Sequence, residues 1–115
     1  MIKLEKEGIQ RFFCPYFGED VELTSERRNH IVRQHPEMGT DFDQIIKSAL
    51  SDPDQVRRSR RMGNARLFSR WFADVRGGKH AVILVVSEVD AGRSWIITAY
   101  LARRLAEGEV EWSRD

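Results

Sequence analysis

The sequence predicts an α+β domain, with N-terminal helices packed on one face of a four-stranded antiparallel sheet. Two observations carry this. Phe42, Ile45, Ile46, Ala49 and Leu50 fall on one stripe at helical spacing. After Asp52-Pro53 the period changes to alternation, in stretches separated by Gly63-Asn64, Gly77-Gly78 and Ala91-Gly92-Arg93. Turns that short join antiparallel neighbours.

Taken in order, residues 1–20 read as a poorly defined extension, with Ile2–Leu4 and Val21–Leu23 as candidate short strands. Phe12, Phe13, Tyr16 and Phe17 crowd around Pro15 and Gly18. Such a cluster is usually core or an interface lid rather than a base-stacking platform. The first helix is expected over Ser25–Gln34. Thr24 or Ser25 serves as N-cap, Glu26 favours the positive end of the dipole, and Pro36 stops the helix with His35 just past its end. Glu37-Met38-Gly39 makes a turn. Thr40 and Asp43 approximate a capping box for the second helix, Asp41–Leu50.

Four strands follow. Val56–Ser59 reads as an edge strand protected by arginines. In Arg66–Phe72, Leu67, Ser69 and Trp71 share one face, and Arg66, Phe68, Arg70 and Phe72 the other. Lys79–Ser87 holds Ala-Val-Ile-Leu-Val-Val, apolar on both faces, so both must be covered. In Ser94–Leu101, Trp95, Ile97, Ala99 and Leu101 are expected on one face, and Ile96, Thr98 and Tyr100 on the other. A helical turn over Ala102–Glu107, ended by Gly108, leaves Val110 and Trp112 to tuck down the tail.

The 115 residues fit one domain, 1–115. Lys and Arg total 19 against 18 Asp and Glu, a net charge of +1, so no global field points to nucleic acid. Locally, Arg57, Arg58, Arg60, Arg61, Arg66 and Arg70 form a basic segment, and the tail is acidic through Glu107, Glu109, Glu111 and Asp115. Cys14 is the single cysteine, which excludes an intrachain disulfide and fits a reducing, cytoplasmic setting. Cys14 and three histidines at these spacings make a poor metal set, so no metal or other cofactor is expected. No apolar run is long enough to span a bilayer, and Met1-Ile-Lys-Leu-Glu-Lys-Glu is too charged for a secretory signal.

Chemistry concentrates in Leu23–Pro36. Glu26 and His30 are four apart on one helical face. A carboxylate beside an imidazole suits proton transfer near neutral pH. Arg27, Arg28 and Arg33 are suited to a phosphate oxyanion. The same pattern also describes a polar surface helix with incidental charges.

The phrases Leu23-Thr-Ser-Glu-Arg-Arg-Asn-His-Ile, His35-Pro-Glu, Ala49-Leu-Ser-Asp-Pro-Asp, Arg66-Leu-Phe-Ser-Arg, Ile97-Thr-Ala-Tyr-Leu and Gly108-Glu-Val-Glu-Trp stand in a recognisable order. Together, over residues 21–112, they resemble the phage and polymorphic-toxin nuclease-like domains grouped with barnase, EndoU, colicin-type tRNases and RelE. The resemblance implies a helix-then-four-strand fold of barnase and RelE type and, for active members, metal-independent RNA cleavage. It implies catalytic roles for His30, His35, Arg70, Lys79 and Thr98, to which the helical spacing adds Glu26 as the group orienting His30. Arg27, Arg33, Arg66 and Tyr100 would complete the substrate contacts.

The expected function is therefore toxin-like endoribonuclease activity on RNA, with an antitoxin or immunity protein as a possible partner. Two rival readings are a non-catalytic nucleic-acid-binding module using the arginines of 57–70, and a partner-binding subunit anchored by Trp71, Trp95, Trp112 and the N-terminal aromatics. A metal-dependent nuclease is disfavoured by the lack of clustered carboxylates.

Overall fold

Seven strands, not four, build the sheet, and it is mixed rather than antiparallel. The computed structural model describes residues 8–88, 90–105 and 108–114. The elements run β1 (Ile9–Cys14), β2 (Glu19–Thr24), α1 (Ser25–Gln34), a 3-10 turn (Pro36–Asp41), α2 (Phe42–Ser51), β3 (Gln55–Arg58), β4 (Ala65–Phe72), β5 (Lys79–Glu88), β6 (Arg93–Ala102) and β7 (Glu109–Ser113). The sheet order is β1-β2-β6-β5-β4-β3-β7. The four expected strands lie inside it, flanked by the β1–β2 pair on one side and by β7 on the other; the candidate strand Val21–Leu23 falls within β2. The possible strand Ile2–Leu4 lies outside the described residues.

The N-terminal aromatic stretch is a hairpin. β1 and β2 pair from Ile9 opposite Thr24 to Cys14 opposite Glu19. Gly18 closes the turn, at φ 72, by donating its N–H to the Cys14 and Pro15 carbonyls. Only left-handed backbone lets the chain reverse there, and glycine adopts it without a Cβ penalty. The tip carries Tyr16 and Phe17, whose rings meet Phe68 of β4 edge-on at 5.9 and 5.5 Å. Tyr16 then reaches Glu111 of β7, so the two ends of the curled sheet touch through side chains. Burial pushes the Cys14 thiol up, which suits a core residue rather than a nucleophile.

α2 supplies the helical share of the core. Phe42, Ile45, Ile46, Ala49 and Leu50 are all buried, against β1, β4 and β5. Each such side chain contributes about 1.5–3 kcal/mol on burial. The capping box is absent. Asp41 makes no side-chain cap, and Asp43 instead pairs with Arg28 of α1. α1 is capped by Thr24, which accepts from the Arg27 N–H at 3.1 Å. Only Ile31 of α1 is buried, so this helix is mostly surface.

β5 is covered on both sides, as its composition requires. Ala81, Ile83 and Val85 face the helices, and Val82 and Val86 are buried on the other face. β3 is not an edge. β7 pairs with it antiparallel, which requires the chain to cross three strands, β5, β4 and β3, after β6. Residues 103–105 carry no helix, and 106 and 107 of the expected helical turn lie outside the described residues.

Two bulges re-aim side chains. In β6, Leu84 pairs with Thr98 but Val85 pairs with Ile96, leaving Ile97 as the extra residue. The strict alternation expected for Ser94–Leu101 therefore fails. Ile96, Ala99 and Leu101 face the core, while Trp95, Thr98 and Tyr100 share the opposite face. In β7, Glu111 is the extra residue between Val110 and Trp112. Its carboxylate accepts from Arg58 at 2.8 Å, Arg66 at 2.6 Å and Tyr16 at 3.0 Å.

Candidate functional site

The surface helix and the start of β6 enclose an open pocket of about 500 Å³, lined among others by Glu26, Arg27, His30, Arg33, Arg93 and Trp95. Local geometry explains the gathering. Helical periodicity puts Glu26, His30 and Arg33 on one side of α1, away from buried Ile31. β2 pairs with β6 at one position only, Glu22 opposite Trp95, and α1 continues alongside β6 beyond that point. The strand edge left by the missing pairs forms the second wall.

Inside this pocket the side chains of Glu26, Arg27, His30 and Arg33 make no hydrogen bond or ion pair among the described residues. Glu26 and His30 are not bonded to each other, contrary to the orienting role expected of Glu26. Arg93 is anchored, donating to Glu22 at 2.7 Å and lying 5.6 Å from the Trp95 ring centre. The pocket thus sets three guanidiniums and an imidazole against one free carboxylate, beside a large aromatic face. That combination suits a phosphate diester with an attached base.

The remaining expected residues divide into three groups. His35 lies at the far end of α1, where its Nδ1 is 3.3 Å from the Glu37 carboxylate and its ring is 5.9 Å from that of Tyr100. Thr98 and Tyr100 share the sheet face of Trp95 further along β6, outside the lining of the pocket. Arg70 and Arg66 lie elsewhere. Arg70 donates to the Asp52 backbone carbonyl at 2.6 Å and its carboxylate at 2.8 Å, closing the end of α2. Arg66 holds Glu111. Lys79 donates to the Arg76 carbonyl at 2.7 Å in the β4–β5 turn. The cleft uniting His30 with Arg70 and Lys79 is therefore not formed. The Arg70 guanidinium is neutralised by Asp52 and lies 5.7 Å from the Phe72 ring centre.

Hydrogen bonds from Arg70 and Arg114 hold the Asp52 carboxyl below the usual range. Asp52 in turn raises the Arg114 guanidinium still further, so this end of the molecule is an ion-pair clamp. A second opening of about 470 Å³, lined by Glu19, Arg66, Glu88 and Arg93, carries both charge signs and no imidazole. No cluster of three or more histidine, cysteine or carboxylate side chains suited to a metal occurs among the described residues. No helix among them is long and apolar enough to cross a membrane.

Sequence reasoning missed Arg93 and Trp95 as pocket residues, and His80 altogether. Arg93 looked like part of a turn, and Trp95 was placed on the wrong face because a bulge leaves no mark in composition. Its contact with His30's helix depends on β2 pairing across 73 positions of chain. No family model, curated protein or solved structure matches this chain.

Proposed function

We propose that the groove between α1 and β6 binds RNA and cleaves it without a metal, by attack of the 2′-oxygen on the adjacent phosphorus. The new P–O2′ bond forms as the P–O5′ bond breaks, leaving a 2′,3′-cyclic phosphate and a free 5′-hydroxyl. One group must take the 2′ proton and another must give a proton to the leaving 5′ oxygen. Glu26 and His30 share the pocket and are otherwise unengaged, so the carboxylate serves as base and the imidazolium as acid. Such proton transfer contributes about 10²–10⁴-fold. Arg27, Arg33 and Arg93 would balance the phosphorane charge, and Trp95 would stack on a base. His35, Thr98 and Tyr100 would contact the strand further along the groove.

The observation that supports this reading is the free imidazole of His30 in a pocket with three guanidiniums. The test is cleavage of a fluorophore-quencher RNA in EDTA by the parent chain and by His30→Ala. Loss of at least about 100-fold with the thermal midpoint held within about 1 °C is expected. Equal activity in the two chains would overturn the assignment.

A second reading has its own support. Glu26 and His30 make no bond with each other, so neither is held in a fixed orientation. This favours RNA binding without cleavage, which gel retardation of uncut RNA would reveal.

A further inference from the structure

A second basic and aromatic corner lies beyond the groove. Trp71, at the end of β4, pairs with His80 of β5, which pairs with Ala102 of β6. The chain then continues into Arg103 and Arg104, both exposed. Two strand spacings, about 10 Å, separate the Trp71 and Ala102 backbones. Arg76 and Lys79 sit in the β4–β5 turn beside them. The acidic groups there are Asp54, Asp74 and Glu37; Asp54 is paired with Arg114, and Glu37 already faces His35 while its carbonyl accepts from Arg76.

Trp71 is 45% exposed and yet held in place. Its backbone N–H donates to Asp54 at 2.7 Å. His80 meets it edge-on at 4.9 Å. Gly78 lies so close that a Cβ there would stand 2.7 Å from the ring, and it holds φ at 102°. A large ring held out beside Arg76, Lys79 and two exposed arginines is suited to a base flanked by phosphates.

We propose that Trp71, His80, Arg76, Lys79 and the Arg103–Arg104 pair form a second contact for single-stranded RNA, with one base stacked on the indole. This rests on the RNA reading of the α1–β6 groove and extends it. From Trp95 to Ala102 β6 spans about 20 Å, so one strand touching both places must be several nucleotides long. His35 and Tyr100 lie between.

The test compares a fluorescein-labelled single-stranded RNA decamer with a dinucleotide, by anisotropy, on the full chain. Trp71→Ala should weaken decamer binding about tenfold or more, and Trp71→Phe should recover most of it. Arg103→Gln with Arg104→Gln should flatten the slope of log affinity against log salt by about 1.4. Both arginines are exposed, so this variant tests the idea even if Trp71→Ala fails to fold. Decamer affinity within twofold of the parent in Trp71→Phe, Trp71→Ala and the double arginine variant would overturn the proposal. So would polyglutamate displacing the decamer through Trp71, which would assign the corner to an acidic protein. Trp71-dependent binding by a chain that cuts no RNA would sink the cleavage reading alone. Cleavage of the dinucleotide with Trp71-independent decamer binding would sink this one alone.

Discussion

Replacing Glu111 by Gln removes one negative charge from the place where the two ends of the sheet meet. The isosteric amide keeps an acceptor for Tyr16 but leaves Arg58 and Arg66, directly opposite each other on β3 and β4, without their anion. The Arg58 side chain is 49% exposed, so water screens that pair to about 0.5 kcal/mol. Arg66 is only 18% exposed and binds at 2.6 Å, which places it near the low end for a charged hydrogen bond, about 1.5 kcal/mol. The expected loss is about 2 kcal/mol, or about 8 °C in thermal midpoint for a domain of this size.

The pH dependence sharpens this prediction. Partial burial pushes the Glu111 carboxyl up, but hydrogen bonds from Arg58, Arg66 and Tyr16 bring it below the ordinary glutamate value of 4.5. A group depressed in the folded state contributes stability above its unfolded value, and that stability is lost as pH falls through the folded one. The parent should therefore outlast Glu111→Gln at pH 7, and the gap should close as the pH falls below about 4.5. Circular dichroism melts of both chains across that range are the assay. A difference under about 2 °C at pH 7, or one equally wide at pH 2, would refute the clamp.

Two further outcomes follow from the same contacts. Arg70→Ala should lower the thermal midpoint by a few degrees while leaving RNA cleavage per folded molecule unchanged, because its guanidinium ties off α2 rather than the groove; parallel melts and rate measurements check this. Phe68→Ala should cost about 3–5 kcal/mol in urea unfolding, since the ring is fully buried beneath Tyr16 and Phe17.

Elements whose partners are local were legible. The stripe of α2, the Thr24 cap, the two faces of β4 and the double-sided burial of β5 follow from spacing alone. β1 and β7 were not, for different reasons. The aromatics of β1 straddle a turn and lack clean alternation, and β7 becomes a strand only by crossing to β3. For the groove, Glu26, Arg27, His30 and Arg33 were legible because one helix presents them. Arg70 and Lys79 were misplaced because an arginine or lysine read in isolation does not reveal which carbonyl it satisfies. Here those carbonyls belong to Asp52 and Arg76.

The inserted Ile97 carries a last implication. With it looped out, the leading and trailing portions of β6 both keep their aliphatic groups inward, although three residues rather than two separate Ile96 from Ala99. Deleting Ile97 would restore ordinary pleating without turning either portion over. Each β5 residue from His80 to Glu88 would keep its β6 partner, because Ile97 alone has none. What the deletion removes is the local bend and added twist of a bulge. The insertion thus sets the angle at which Arg93 and Trp95 meet α1, separately from the packing beneath them.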